Sequence, residues 1–182
     1  MKTIAVFGSS RREETSPCWS EAYTLGRLLA GAGHAVLTGG YGGSMAAVSR
    51  GAAKCGGMVI GVTCSVFDPN PCNEWLTEEV KTKTLIARLA AMIERADAFV
   101  ALRGGIGTLS EVTLVWSLLQ TRAMPKPLIL LGSEWRAVVQ SWLDHTDLGA
   151  SIATLAVIVD TPEQVLPALN APPTPPGPPP IG

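Results

Sequence analysis

Charge is scarce in this sequence: 16 % of its 182 residues are Asp, Glu, Lys or Arg, and the formal net charge is -1. No long Lys/Arg run occurs, which argues against a nucleic-acid groove or an anionic membrane surface as partner. Histidine is limited to His34 and His145, and the four cysteines (Cys18, Cys55, Cys64, Cys72) form no Cys-x-x-Cys pair. No metal is therefore expected, and free buried thiols are the simpler reading of the cysteines. No apolar stretch reaches membrane length, and Met1-Lys2 runs straight into Thr3-Ile4-Ala5-Val6-Phe7 without a secretory leader, so the expected location is the cytoplasm. Two phosphate-binding fingerprints are also missing. There is no Gly-x-Gly-x-x-Gly after the first strand-like run and no Gly-x-x-x-x-Gly-Lys-Ser/Thr loop, which moves dinucleotide oxidoreductases and phosphate-loop hydrolases down the list.

What the sequence has is apolar mass, at 47 % of residues, and 19 glycines. That length and composition suit one domain over residues 1–170, with a sheet covered by helices on both faces. Short β-branched runs alternate with stretches of helical period, the pattern of repeated βαβ units and a parallel sheet. Strands are predicted near 3–8, 34–39, 58–63, 98–103, 127–132 and 156–160, and helices near 17–32, 43–55, 84–96, 108–121, 134–145 and 162–169. Ser133 and Thr161-Pro162 read as helix N-terminal signals. Cys64 to Thr84 shows no clear period and is expected to be a long irregular connection, in the manner of a lid or binding loop. From Ala171 to Gly182 the chain reads as a proline-rich flexible tail with no capacity to pack a core.

Three strand ends carry small or glycine residues: Gly8-Ser9-Ser10-Arg11-Arg12, Gly39-Gly40-Tyr41-Gly42-Gly43-Ser44-Met45, and Gly104-Gly105-Ile106-Gly107-Thr108. In an open parallel sheet such turns lie at one edge and lead into helix N-termini, whose free N–H groups attract anions. Any one of them alone reads equally well as a tight turn; together they point to a phosphorylated, nucleotide-like small molecule. Arg88 and Glu111 fall in the early turns of consecutive helices at that edge. Arg88 lies beside an apolar stripe of Leu85, Leu89 and Met92, so it either serves the site or lays its stem on the core and reaches water. Thr108-Leu109-Ser110-Glu111 is a capping box, which gives Glu111 a purely structural alternative.

The stretch Arg103-Gly104-Gly105-Ile106-Gly107-Thr108-Leu109-Ser110-Glu111, with Arg88 at the matching distance upstream, resembles the Pro-Gly-Gly-x-Gly-Thr-x-x-Glu signature and arginine of the Lonely Guy family. That family is also labelled possible lysine decarboxylase. Leu37-Thr38-Gly39-Gly40 through Gly43-Ser44-Met45 is similar to its second glycine turn, and Gly8-Ser9-Ser10 to its first. The resemblance implies a Rossmann-like, doubly wound, mainly parallel α/β sheet in three layers and a homodimer or higher homo-oligomer. It implies hydrolysis of the N-glycosidic bond of nucleoside 5′-monophosphates, such as AMP or cytokinin riboside monophosphates, with no cofactor. Arg88 and Glu111 would be catalytic. Gly8, Ser9, Ser10, Gly39, Gly40, Gly43, Met45, Gly104, Gly105, Gly107, Thr108 and Ser117 would hold the substrate and its phosphate. A related branch carries molybdenum cofactor without glycosidase chemistry, so a carrier or sensor of a phosphorylated nucleotide or pterin is the alternative. A third reading gives Leu114, Val115, Trp116, Leu118 and Leu119 to a dimer seam. This sequence departs from the family pattern at Arg103 (for proline), Leu89 (for lysine), Leu85-Ile86-Ala87 (for Met-His-Glu) and Tyr41 (for a third consecutive glycine).

Overall fold

The computed structural model describes residues 1–11 and 13–171. Arg12 and the proline-rich segment 172–182, read above as part of the first turn and as a tail, lie outside the described residues. The strands are β1 (Thr3–Phe7), β2 (Ala35–Thr38), β3 (Val59–Cys64), β4 (Glu78–Thr82), β5 (Ala98–Ala101), β6 (Leu128–Leu131) and β7 (Ala156–Val159). The helices are α1 (Pro17–Gly31), α2 (Ser44–Lys54), α3 (Leu85–Arg95), α4 (Ile106–Gln120), α5 (Glu134–His145) and α6 (Val165–Asn170).

All seven strands pair in parallel, in the order β4-β3-β2-β1-β5-β6-β7. Because β1, β2, β3, β5 and β6 are buried on both faces, they are mostly apolar and do not alternate, with Thr38 and Thr63 as buried polar exceptions. Two apolar clusters sandwich the sheet. One takes Ala22, Leu25 and Leu29 of α1, Ala47 and Val48 of α2, and Val165 and Leu169 of α6. The other takes Met92 of α3, Val112, Val115 and Trp116 of α4, and Trp135 and Val139 of α5. This is the three-layer, doubly wound α/β fold. The chain first winds outward from β1 to β4, then returns to pair β5 with the other side of β1. The strand order therefore reverses between β1 and β5, where ligand crevices form in such folds.

Four expectations from the sequence fail locally. The segment between Cys64 and Thr84 is not wholly irregular: it holds a 3-10 turn at Ser65–Phe67 and the edge strand β4, whose residues Glu-Glu-Val-Lys-Thr alternate half-buried and exposed. A single apolar residue in five hides such a strand from pattern reading, yet one face in water is what an edge strand needs. Helix α4 starts at Ile106 with Gly105 as N-cap, so Thr108 lies inside the helix and no capping box forms with Glu111. Ser133 precedes α5 but is itself helical and makes no capping bond, whereas Thr161 does form a box, with Gln164, around a 3-10 turn that leads into α6. The four cysteines are free, but only Cys64 is buried, and Cys55 and Cys72 are exposed. No helix among the described residues is long and apolar enough to cross a membrane.

Candidate functional site

The turns after β1, β2 and β5 meet above the carboxyl ends of the central strands. Gly43 adopts φ +63°, and a Cβ there would lie 2.3 Å from the Ser9 carbonyl oxygen, which accepts the Ser44 N–H at 2.8 Å. The first and second turns are thus laced backbone to backbone, with Gly8 against Ser44 and the Ser10 backbone against Gly43. The Ser9 hydroxyl accepts the Arg11 N–H at 3.1 Å. In the β5–α4 turn, a Cβ on Gly104 would fall 2.0 Å from the Thr108 hydroxyl oxygen, so only glycine lets Thr108 fold back under the turn. Above Gly105 and Gly107 the space is open. The first intrahelical bond is Leu109 N–H to Gly105, and Gly105 offers no side-chain cap. The N–H groups of the first turn of α4 therefore face outward at the positive end of the helix dipole, an arrangement that attracts a phosphate.

Arg88 and Glu111 do come together. The Arg88 Nη1 stands 3.6 Å from the Glu111 carboxylate, and both side chains are about nine-tenths buried. The Arg88 Nε donates to the Val62 carbonyl of β3 at 2.8 Å. Behind the guanidinium lies Gly39, where a Cβ would sit 1.7 Å from Nη2 and 2.6 Å from the Met45 sulfur; the bare glycine makes room for the arginine head. On α3 the buried positions are Arg88 and Met92, while Leu85, expected to lead the apolar stripe, is 45 % exposed. The arginine occupies a place in the core and does not reach out to water. Burial drives the Glu111 pKa up to about 7 despite the opposing pull of Arg88.

Two aromatic rings that the sequence did not single out for this role flank the Arg88 guanidinium. The Arg88 Cζ lies 6.0 Å from the Tyr41 ring centre and 5.9 Å from that of Phe67. The signal for Tyr41 was present, since it interrupts a run of glycines; for Phe67, in a segment read as irregular, there was none. Gly40, at φ +79°, accepts the Asn73 N–H at 2.8 Å and so ties the second turn to the segment that follows Phe67. Ser117 stands apart from the other candidates. It is exposed on the second half of α4 and borders an apolar groove with Trp116, Trp142, Leu143 and Ile152. Of the seam candidates, Val115 and Trp116 are core residues, and the Trp116 indole N–H donates to Ile152. Arg103 is held by Glu134, the first residue of α5, which also keeps the guanidinium pKa high.

The chain matches the model of the family described as possible lysine decarboxylase over residues 45–169. It is 29 % identical over 176 residues to the cytokinin riboside 5′-monophosphate phosphoribohydrolase of Mycobacterium tuberculosis, covering 90 % of this chain and 91 % of that one. To the protein of the same name from Rhodococcoides fascians it is 31 % identical over 150 residues, covering 79 % and 75 %. Among solved structures, the molybdenum cofactor binding protein of Rippkaea orientalis superposes with a TM-score of 0.72 at 28 % identity, over 91 % of this chain and 93 % of that one. By the family match over residues 45–169, this chain belongs to the possible lysine decarboxylase, or Lonely Guy, family.

Proposed function

We propose that this protein hydrolyses the N-glycosidic bond of nucleoside 5′-monophosphates, releasing the free base and ribose 5-phosphate. One observation carries the reading: a buried carboxylate, Glu111, paired with Arg88, lies on the helix whose first-turn N–H groups are open to an anion. From Gly105 to Glu111 the helix rises about 9 Å, and the Glu111 side chain leans back toward the helix N-terminus, which shortens the gap that a ribose 5-phosphate has to bridge. A phosphate on the N–H groups of Gly105 to Thr108 would bring the ribose to Glu111. The similarity to two phosphoribohydrolases supports the same chemistry.

Each group then has a task. As the C–N bond lengthens, positive charge develops on the ribose, and the Glu111 carboxylate stabilises it. Glu111 also takes a proton from the water whose hydroxide adds to the anomeric carbon, and that proton passes to the departing base, which leaves neutral and returns Glu111 to its carboxylate form. A pKa of about 7 suits that exchange, because both protonation states are populated at neutral pH. Arg88 does not give up its proton; it orients Glu111 and offers its remaining N–H groups to the substrate. Gly8, Ser9, Ser10, Gly39, Gly40, Gly43 and Met45 form the wall opposite Gly104 to Thr108. Purified protein incubated with AMP and with an N6-isopentenyl AMP is expected to release free base, read by chromatography. Undiminished release by Glu111→Ala would overturn the mechanism.

A second reading, carriage of a phosphorylated pterin, is favoured by the likeness to the molybdenum cofactor binding protein over nearly the whole chain. Tight retention of such a ligand with no base released from any nucleoside monophosphate would establish it in place of the first.

A further inference from the structure

We propose that Tyr41 and Phe67 are positioning residues of the Arg88–Glu111 pair: together the two rings fix the guanidinium and close the pair to water. The kinetic consequence rests on the hydrolase reading above; the geometry does not.

The pair does not fix itself. At 3.6 Å the Arg88–Glu111 contact is an ion pair beyond hydrogen-bond range, without the directionality of a bidentate arginine–carboxylate bond. One directional bond holds the guanidinium, from Nε to the Val62 carbonyl. The rest of the planar head lies among Gly39, Met45 and the two rings. Both rings lie at cation–π distance from its Cζ.

The rings are themselves held. Tyr41 and Phe67 meet edge to face, with centres 5.3 Å apart and planes at 76°. The Tyr41 hydroxyl donates to the Cys64 carbonyl and accepts the Cys64 N–H, each at 2.9 Å, which ties the end of its ring to the last residue of β3. The Tyr41 carbonyl accepts from the Asn73 side chain at 3.1 Å, and the Asn73 N–H reaches Gly40. The second glycine turn and the segment from Ser65 to Asn73 are stitched into one cover. Neither ring joins either apolar cluster flanking the sheet, so ordinary core packing does not account for them. What they cover is Arg88.

Water is the quantity this cover controls. The charged group acting on Glu111 is Arg88 of α3; against the guanidinium of Arg88 lie a phenol, whose hydroxyl is spent on Cys64, and a hydrocarbon ring, neither of which carries a charge. Opening the cover admits water to the carboxylate without adding any charge. The carboxylate is then better solvated and its proton leaves at lower pH.

The test uses the full chain with its glutamate side chains 13C-labelled at the carboxyl carbon, the Glu111 signal being assigned by its loss in Glu111→Gln. In the parent protein the carboxyl titrates near the raised value given above. Phe67→Leu and Tyr41→Leu are expected to lower that midpoint by about one pH unit or more. The acid limb of kcat/KM for AMP should move with it. Tyr41→Phe, which keeps the ring and loses both hydroxyl bonds, should lie between. A midpoint that stays or rises in both leucine variants, with the fold intact by amide spectra, overturns the proposal. Phe67→Leu carries the test alone if Tyr41→Leu does not fold. If the parent protein releases no base but the midpoint falls as described, the hydrolase reading fails and the roof stands. If base is released and the midpoint does not move, the reverse holds.

Discussion

The first two turns of α4 bury Thr108 and Glu111, with Arg88 opposite; the last two bury Val115 and Trp116 and border an apolar groove of about 130 Å3 with Trp142, Leu143, Leu148 and Ile152. One helix thus puts half of a charge pair into the protein at one end and hydrocarbon at the other. The two burials differ in what they do for the fold. Removing Trp116 from water is favourable by area alone, and its indole N–H finds the Ile152 carbonyl. Burying Glu111 opposes its ionisation, as its raised pKa records, and a buried ion pair seldom repays its desolvation. The amino end of α4 is therefore arranged at a cost in stability, and its carboxyl end is not.

The largest expected effect breaks the amino end alone. Glu111→Gln keeps the shape and removes the charge, so kcat for base release from AMP should fall by about 10²–10⁴-fold, with a lower melting temperature at pH 7 because the buried Arg88 charge is left without its partner. Next, Trp116→Ala should cost about 3–5 kcal/mol, read as a lower urea midpoint, while kcat per folded molecule is retained. Parallel loss of kcat would show that the two ends of α4 are coupled.

The third prediction sharpens the comparison through pH. A carboxyl with a folded pKa near 7 and an ordinary value of 4.5 retains in the folded chain a proton that the unfolded chain has released between those values. Stability contributed by this group is therefore complete below about pH 4.5 and declines as pH rises to about 7, by an amount on the order of 3 kcal/mol or less. Glu21, half-buried on α1 and also raised, chiefly by burial, contributes with the same sign. The stability difference between the parent and Glu111→Gln isolates Glu111. Chemical denaturation of both from pH 4.5 to 8 should show that difference shifting in favour of the variant; a constant difference would contradict the raised pKa.

The layered fold was legible because doubly buried strands such as Ile4-Ala5-Val6-Phe7 and Leu128-Ile129-Leu130-Leu131 must be apolar throughout. Strand β4 was not, because an edge exposed to water takes Glu78, Glu79 and Lys81, which read as loop. Arg88 and Glu111 were legible as candidates from spacing and from the family signature, but their mutual burial was not. A charged residue beside a stripe reads as a surface group until tertiary packing supplies its partner, and Leu85 was expected inside where Arg88 is. The capping box at Thr108 misled for a related reason: the open turn starts the helix at Ile106, which moves Thr108 inside it. Ring contacts such as that of Phe67 with Arg88 join segments far apart in the chain and leave no local pattern.

The smallest expected effect concerns Ser117, which the sequence groups with the substrate-binding residues. It follows Glu111 by six positions on α4, about 240° round the axis and about 9 Å further along it. A ligand seated on the helix N-terminus and held at Glu111 would have to pass through the buried turn containing Val112 and Val115 to reach it. Ser117→Ala should therefore leave both kcat and KM for AMP unchanged and shift stability by no more than about 0.5 kcal/mol, as is usual for an exposed position. A several-fold rise in KM would instead make the groove beside Trp116 an extension of the ligand site. The distinction between the two ends of α4 would then be one of subsites, with the apolar end taking an apolar substituent of the base.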